Sequence, residues 1–388
     1  MPDSAVTLAV VRDALPSLAR ETYLNTGGAG PVPLVAARAV ERAVATALRR
    51  GRGGLDAERE TSALHDALRA ALATALSGHP DEIAIAGSST HALNAVIWGI
   101  DWSPGDEAVT TSLEHPGLAA PLRRVAQRRG VHLRVVALDR GDEDLEALIG
   151  AVVGPRTRLV ALSHVAYSTG ARLDVEGAAR AARAAGALVL VDGAQGLGAV
   201  PTDPRALGAD AYAVAAHKWL LGPEGLGALW VRREAIERIA PTFTGFASGT
   251  GHLPDGRLAL HPGARRLEIS TLPDLLVPGW LASLAWLGEL GWDWIHARVA
   301  EAAAAARERL SAIPGVEVLT PAGHQAGLIV YRIAGVDPEA ADARLQQQGI
   351  RGRWVPHPRA LRVSAGFYTD DADLDRMASA VSLIASGA

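Results

Sequence analysis

Two stretches decide the fold: ALVLVDGAQGLG (residues 187–198) and AYAVAAHKWLLGPEGLGALW (residues 211–230), whose lysine follows the aspartate of the first by 26 residues. Each opens with a short, almost wholly apolar run and then turns into a polar, glycine-rich segment. Such runs are typical of strands that are buried on both faces of a parallel sheet. Their polar residues then lie at the carboxyl ends of strands, where open α/β sheets bind ligands.

The same rhythm of strands and helices continues on both sides of these stretches. Helical patterns such as Leu118–Arg129 and Val175–Ala185 are each followed by a glycine that can end a helix. This alternation predicts an α/β fold with a mostly parallel, seven-stranded sheet that is covered by helices on both faces. The seven candidate strands are Ile83–Ala86, Ala108–Thr111, Leu133–Leu138, Leu159–Ser163, Ala187–Asp192, Ala211–Ala215 and Ala228–Val231.

The rhythm changes after about residue 265. A Trp- and Ala-rich helical region from about Leu275 to Leu310 is followed by an alternation of strand, helix, strand and helix. We predict a large domain over residues 23–265 and a smaller α+β domain over residues 266–388, which includes a long connecting helix and is joined by residues 1–22. The later elements are Gly327–Ile333, Pro338–Gln348, Ala360–Ser364 and a helix from Asp371, and the tryptophans expected to pack in the long helix are Trp280, Trp286, Trp292 and Trp294.

Composition excludes several classes of protein. The 388 residues are 49% hydrophobic and 21% charged, which is enough apolar material for a large core. A net charge of −4 without a basic run argues against nucleic acid as a partner. Neither an 18-residue apolar stretch nor a basic N-terminal region is present, so we expect no membrane association and a cytoplasmic location. The absence of cysteine excludes disulfides and thiolate ligands, and we predict no metal site.

Lysine usage is the most informative count. Lys218 is the only lysine, and all the other basic residues among the 38 are arginines. Arginine can replace lysine in salt bridges, but it cannot form a Schiff base because its guanidinium group stays protonated. Lys218 is therefore a candidate for covalent amine chemistry, with chance survival of one codon as the alternative.

Polar residues also follow other predicted strands. Ser88, Ser89 and Thr90 stand between a strand and a helix, where they could hold a phosphate or simply cap the helix. His115 in TTSLEHPG could stack on a ligand ring, act as an acid or base, or be structural. An aspartate that ends an apolar strand, as Asp192 does, needs a positive partner unless it caps the next turn. Pyridoxal phosphate needs an anion for its ring nitrogen, an amine for its aldehyde and a phosphate cradle.

With these residues on one edge of a sheet, the chain resembles the fold-type-I pyridoxal phosphate enzymes. It is most similar to their class V aminotransferase family, which includes cysteine desulfurases, isopenicillin N epimerase-like proteins and cysteine/cystine C–S lyases. The resemblance extends from YLNTGGAGPVP (residues 23–33) to LRVSAGFYTD (residues 361–370), and the pair LVDGAQ and HKWLLGPEG is its most specific part.

The resemblance implies a role for each matched residue at the cofactor. Lys218 forms the Schiff base with pyridoxal phosphate, Asp192 pairs with the pyridine nitrogen, and His115 stacks on the ring; these three are the predicted catalytic residues. The resemblance also implies that Gln195 lies near the ring hydroxyl. It further implies that the phosphate is held by Ser89, Thr90 and His217.

The resemblance also implies a substrate class and a partner. Arg362 matches the arginine that binds the α-carboxylate of an amino-acid substrate, a contact that suits its two-pronged side chain. Asn25, in the N-terminal motif, is the second predicted substrate-binding residue. Thr271, in RRLEIST, matches a position that reaches the phosphate of the partner subunit, which implies a homodimer with active sites at the subunit interface.

The chain departs from the desulfurase pattern at three points. It lacks the cysteine that accepts sulfur, Tyr167 stands where desulfurases carry asparagine, and Ala215 stands where a hydroxyl residue is common. Because the N-terminal motif resembles the C–S lyase and epimerase branch, we expect α,β-elimination on a cysteine derivative to give pyruvate and ammonia. An epimerase, which needs a second acid or base such as Tyr167 or His252, and an aminotransferase are the alternatives. A cofactor-binding protein without turnover is disfavoured because Lys218 and Asp192 are both present.

Overall fold

A computed structural model describes residues 7–387. Its helices are α1 (Leu8–Asp13), α2 (Leu34–Arg50), α3 (Leu55–Ala75), α4 (Ser89–Gly99), α5 (Pro116–Arg129), α6 (Leu145–Gly150), α7 (Val175–Ala184), α8 (Val277–Leu290), α9 (Trp292–Ser311), α10 (Pro338–Gln347) and α11 (Asp371–Ala385). Its strands are β1 (Thr22–Tyr23), β2 (Ile83–Ala86), β3 (Glu107–Thr111), β4 (His132–Val136), β5 (Thr157–Ser163), β6 (Leu188–Asp192), β7 (Ala211–Ala215), β8 (Gly227–Val231), β9 (Gly249–His252), β10 (Leu258–Leu260), β11 (Val316–Val318), β12 (Leu328–Ile333), β13 (Ile350–Arg351), β14 (Arg353–Val355) and β15 (Ala360–Ser364).

The seven predicted strands form the large sheet, in the order β2-β8-β7-β6-β5-β3-β4. Only β8 runs against its two neighbours, and the other pairs are parallel. The parallel strands β3, β5, β6 and β7 therefore end at the same edge. This edge carries the polar residues that the sequence places after each strand.

Helices cover both faces of the large sheet, as the unbroken apolar runs predict. In β6, Val189 and Val191 belong to the core cluster under α3, α7 and α8, whereas Leu188 and Leu190 belong to the cluster under α4 and α5. Every position of such a strand is buried, so apolar residues are favoured at each one. Asp192, at the end of this strand, is therefore a buried carboxylate on the α4 and α5 side.

A second, antiparallel sheet has the order β11-β12-β15-β14 and packs against α9, α10 and α11. The N-terminal segment contacts this region, because β1 pairs in parallel with β13 and Arg12 forms an ion pair with Asp373 of α11 at 2.6 Å. The first half of α9 contributes to the large core and its second half to the smaller one. The division of the chain at residue 265 stays a prediction.

The helical region expected from about Leu275 to Leu310 consists of two helices, α8 and α9, which separate at Gly291. Gly291 has φ +88°, a conformation that ends a helix and that favours glycine. Trp280 is fully buried, and the other three tryptophans of this region pack against the large core. Across residues 7–387, no helix combines the length and the hydropathy needed to cross a bilayer.

Candidate active site

A cavity of about 280 Å³ lies where the carboxyl edge of the large sheet meets the second sheet. Its walls come from distant parts of the sequence, including Gly27 and Gly28 near the N-terminus and Arg353 near the C-terminus. Eight of the predicted site residues line it: Ser89, Thr90, His115, Asp192, Gln195, His217, Lys218 and Arg362.

Two helices begin at one end of this cavity. Ser88 caps α4 by accepting a hydrogen bond from the His91 N–H at 3.0 Å, so Ser89 and Thr90 occupy the first turn. The start of α5 is adjacent, since a β-carbon on Gly117 would come within 2.6 Å of Thr90 Oγ1. Helix N-termini carry free N–H groups and partial positive charge, so this end of the cavity suits a phosphate.

His115 is the cap of α5, and its Nδ1 accepts a hydrogen bond from the Gly117 N–H at 3.0 Å. The proton of the neutral ring is therefore on Nε2. Burial, and then the charge of Lys218, lower the pKa of His115, so the ring is neutral at neutral pH. The ring of Tyr167 meets it edge-on with centroids 4.9 Å apart, which holds the imidazole plane in place.

Asp192 and Gln195 are fixed by the turn after β6. Asp192 Oδ1 accepts a hydrogen bond from the Ala194 N–H at 3.0 Å. The Gln195 amide donates to the Gly27 carbonyl at 2.7 Å and accepts from the Trp219 indole N–H at 2.8 Å. Gln195 therefore ties the N-terminal segment to the loop that carries the lysine.

The loop after β7 turns sharply around Lys218. Leu221, which is buried, adopts φ +51°, a left-handed conformation that is costly for a bulky residue. The Gly30 N–H donates to the His217 carbonyl at 2.7 Å, and a β-carbon on Gly30 would lie 2.3 Å from the Lys218 carbonyl oxygen. The glycine is required because the N-terminal segment packs directly on the backbone of this loop.

The surroundings of Lys218 favour its neutral amine. The pKa of Lys218 is lowered to about 8, chiefly by burial; Asp192 opposes this change, and the charges of Arg362 and Arg353 contribute to it. A neutral amine is the form that attacks an aldehyde. Burial and the charge of Lys218 also lower the pKa of His217, the neighbouring residue that lines the cavity.

Arg362 also lines the cavity and is almost completely buried. Its Nη1 donates to the Tyr167 carbonyl at 3.2 Å, while neither its Nε nor its Nη2 has a hydrogen-bond partner within residues 7–387. Burial and the nearby charge of Arg353 lower the pKa of Arg362 to about 9. Buried guanidinium N–H groups without partners are costly, so this site is built to take an anion.

Arg353 lies opposite Arg362 in the register of β14 and β15 and is exposed at the cavity. Sequence reasoning missed it, because β14 has only three residues and nothing distinguishes this arginine from the many others. Sequence reasoning also missed Ser163. Its position at the end of a predicted strand, next to the strand that carries Asp192, could have indicated a site residue.

Two predicted residues do not line the cavity. The side chain of Asn25 packs against Gly28, which is part of the wall, and its Oδ1 is buried without a partner among the described residues. Thr271 is exposed and lies outside the cavity of its own chain. The role of Asn25 at the substrate, and that of Thr271 in a partner subunit, stay predictions.

The residues of the cavity fit pyridoxal phosphate. They offer an amine with a lowered pKa at Lys218, a buried carboxylate at Asp192, a neutral flat ring at His115 and two converging helix N-termini. The free N–H groups of Arg362 remain for an anion on a second molecule. This set matches the needs of the cofactor together with an acidic substrate.

Comparisons with known proteins agree with this assignment. The family model for aminotransferase class-V matches residues 23–377. Isopenicillin N epimerase of Streptomyces clavuligerus is 34% identical over 386 residues, which cover 92% of this chain and 93% of that protein. A probable cysteine desulfurase of Pseudomonas aeruginosa is 35% identical over 313 residues, which cover 77% of each protein.

Solved structures show the same fold. A variant of C-DES with glycine covalently linked to its PLP cofactor superposes with a TM-score of 0.91 at 30% identity, covering 96% of this chain and 98% of that one. The complex between the cystine C-S lyase C-DES and its product cysteine persulfide gives the same score and identity over 95% and 99% of the two chains. The predicted fold class, α/β of fold type I, and the predicted cofactor, pyridoxal phosphate, are confirmed.

Proposed function

The chain belongs to the aminotransferase class-V family, a family of pyridoxal phosphate-dependent enzymes, and we propose that it is a C–S lyase that acts on a cysteine derivative. The observation that carries the substrate class is the buried guanidinium of Arg362. Its Nε and Nη2 lack partners in the described part of the chain, and they lie across the same cavity as Lys218. An α-carboxylate bound there would bring the α-amino group of a substrate towards the lysine.

Pyridoxal phosphate bound in this cavity would supply an aldehyde for the amino group of the substrate and a protonated ring as an electron sink. Asp192 supports that ring, because its buried carboxylate favours the protonated nitrogen. Lys218 Nζ takes the Cα proton, and the Cβ–S bond breaks with its electron pair leaving on sulfur. One water is consumed, and the thiol R–SH, pyruvate and ammonium are released.

Two observations favour a lyase over a desulfurase. The chain has no cysteine to accept sulfur from the substrate. Arg353 adds a second cation beside Arg362, and it forms no ion pair with any residue in the described part of the chain. This pair of cations suits a substrate with a second anionic group beyond its sulfur, such as a disulfide or a conjugate that carries two carboxylates. The name of the structural neighbour, a cystine C-S lyase, agrees with this substrate class.

One observation favours an amino-acid epimerase as the second candidate. Tyr167 lines the cavity, and burial raises the pKa of its phenol, so it holds a proton at neutral pH. It could return a proton to the face of Cα that Lys218 does not reach. His252, the other candidate for this role, is exposed on β9 outside the cavity of its own chain. The identity with isopenicillin N epimerase agrees with this alternative.

A panel of amino acids separates these reactions. Cystine, cysteine, S-conjugates with one or two carboxylates and non-sulfur amino acids are incubated with the protein, and pyruvate, ammonia, keto acids and D-amino acids are measured together. A lyase releases equal amounts of pyruvate and ammonia, with two-carboxylate substrates preferred. D-amino acids that form without pyruvate, and that are lost in Tyr167→Phe, would instead establish the epimerase. Keto acids that form without ammonia, and only when a second α-keto acid is added to accept the amino group, would establish the aminotransferase. Lys218→Arg is the control that must abolish every product.

A further inference from the structure

A buried carboxyl group lies directly beneath the cavity. Glu114 precedes His115 in the chain and is almost completely buried. Its two carboxylate oxygens each accept one short hydrogen bond, from Thr111 Oγ1 at 2.6 Å and from Ser163 Oγ at 2.5 Å. Within residues 7–387, no arginine or lysine forms an ion pair with Glu114. This buried carboxylate is therefore held by two hydroxyl groups and the backbone of Ser163, without a cation.

Only one of these two hydroxyl groups belongs to the cavity. Ser163 ends β5, lines the cavity and faces Asp192 across the register of β5 and β6. Thr111 ends β3 and does not line the cavity. A hydroxyl group has a single proton to donate. While the Ser163 hydroxyl donates to Glu114, it cannot donate to Asp192 or to a molecule in the cavity.

The groups around Glu114 leave its proton finely balanced. The pKa of Glu114 is raised to about 7, chiefly by burial; hydrogen bonds from the Ser163 and Thr111 hydroxyls and from the Ser163 backbone oppose this change, and the charge of Asp192 adds to it. The other titratable side chains on this side are His115, whose pKa is lowered, and Tyr167, whose pKa is raised. Lys218 and Arg362 lie across the cavity. Both protonation states of Glu114 are therefore accessible near neutral pH.

We propose that Glu114 is a positioning residue that sets the direction of the Ser163 hydroxyl group. When Glu114 is ionised, the Ser163 proton points away from the cavity and into the carboxylate. When Glu114 is protonated, it donates to Ser163 Oγ, and the Ser163 hydroxyl turns towards Asp192. Glu114 then governs how many hydrogen bonds Asp192 receives. Because Asp192 supports the cofactor ring, the consequence for the cofactor rests on the proposed function.

Infrared spectroscopy tests this inference. The protein is labelled with ¹³C in the glutamate and aspartate carboxyl groups, and spectra are recorded both without and with bound cofactor. Glu114→Gln and Asp192→Asn identify the two bands by difference. In the wild type, the protonated Glu114 band disappears as the pH rises through about 7, and the Asp192 carboxylate band shifts at the same pH. With the cofactor bound, its visible absorption shows a step at that pH as well.

Two matched variants each remove one hydroxyl group from Glu114. Because each hydrogen bond stabilises the ionised carboxylate, Ser163→Ala and Thr111→Val each raise the midpoint of the Glu114 band by about 0.5–1 pH unit. In Thr111→Val, the Asp192 shift and the absorption step move to the new midpoint. In Ser163→Ala, the Glu114 band still titrates, but the Asp192 shift and the absorption step are lost.

Two results would overturn the inference. One is a Glu114 band that stays in a single protonation state between pH 5 and 9, a range chosen to bracket the expected midpoint by about two units on each side. The other is an Asp192 shift that survives in Ser163→Ala, which would show that the coupling acts through space. Failure of the proposed function looks different, because cysteine derivatives would then release no thiol and no pyruvate while the infrared titrations kept the expected pattern.

Discussion

At the scale of single residues, Lys218 shows how the cavity prepares a group for reaction. Its pKa of about 8 lies well below the usual value, so the amine gains its neutral form as the pH rises through about 8. We expect the rate at which cofactor-free protein takes up pyridoxal phosphate to rise with pH and to level off above about 9, since a group is mostly titrated one unit beyond its pKa. Stopped-flow absorbance measured at each pH gives this profile.

A variant of Arg353 provides a control for this pH profile. Its charge lowers the pKa of Lys218, so Arg353→Leu should move the midpoint of the profile to higher pH. A rate that climbs steadily towards the pKa of an ordinary lysine would contradict the assigned environment of Lys218.

Arg362 carries the second prediction at this scale. Arg362→Lys keeps the charge but replaces a two-point contact by a single ammonium group. We expect KM for amino-acid substrates to rise about ten- to a hundredfold, because a hydrogen bond to a charged group contributes about 1.5–3 kcal/mol. The visible spectrum of the bound cofactor should stay unchanged, and amines without a carboxylate should react as before. Amino-acid kinetics equal to those of the wild type would place the carboxylate elsewhere.

These residues differ in how far the sequence reveals them. The sequence reveals Lys218 because it is the only lysine of the chain. It reveals Asp192 because a carboxylate at the end of an apolar strand needs a positive partner or a capping role. Arg353 and Ser163 carry no such mark, since arginine is abundant here and serine is common at strand ends. Their importance comes from the register of β14 with β15 and of β5 with β6, which only the folded chain defines.

At the scale of elements, burial decides what the sequence predicts. The bounds of β2, β7 and β15 agree with the apolar runs, and those of the other central strands shift by one or two residues. Strands β2, β7 and β15 are buried throughout, so their apolar signal is continuous. The partly exposed strands β11 and β14 have three residues each, too few to show a period. Strand β14 carries Arg353, so the weakest signal coincides with a residue of the site.

The junction between α8 and α9 allows a prediction that compares two glycines, Gly291 at the junction and Gly288 within α8. A β-carbon would fit at either position without a clash. Gly291 has φ +88°, whereas Gly288 lies within α8, and a β-carbon on either would meet no atom within 4 Å. Gly291→Ala should lower the free energy of unfolding by about 1–2 kcal/mol through backbone strain. Gly288→Ala should raise it by about 0.5–1 kcal/mol, because alanine is the better helix former. Thermal or denaturant unfolding of both variants measures these changes. Equal changes in the free energy of unfolding for the two variants would contradict the different roles assigned to the two glycines.

At the scale of the whole molecule, the surface near Thr271 exposes two large apolar side chains to solvent. Phe243 and Phe246 expose 65% and 75% of their area to solvent. The segment that carries Phe246 packs against the strand-like residues before Thr271, since a β-carbon on Gly245 would lie 2.1 Å from the Ile269 carbonyl oxygen. An exposed apolar surface beside a predicted phosphate contact agrees with the homodimer that the sequence predicts, in which this face would meet a second copy.

Subunit mixing tests the prediction that the chain forms a homodimer with shared active sites. If Thr271 contacts the phosphate in the partner subunit, Thr271→Ala should weaken pyridoxal phosphate binding about ten- to a hundredfold, the loss of one hydrogen bond to a charged group. Lys218→Arg removes catalysis but keeps a native Thr271. In a mixed dimer of the two variants, one site combines a native Lys218 with a native Thr271, so tight binding and activity should return at that site. As a control, Thr271→Ala subunits alone are taken through the same exchange procedure. Activity that stays low in the mixture, while the subunits demonstrably exchange, would show that Thr271 does not complete the site of its partner.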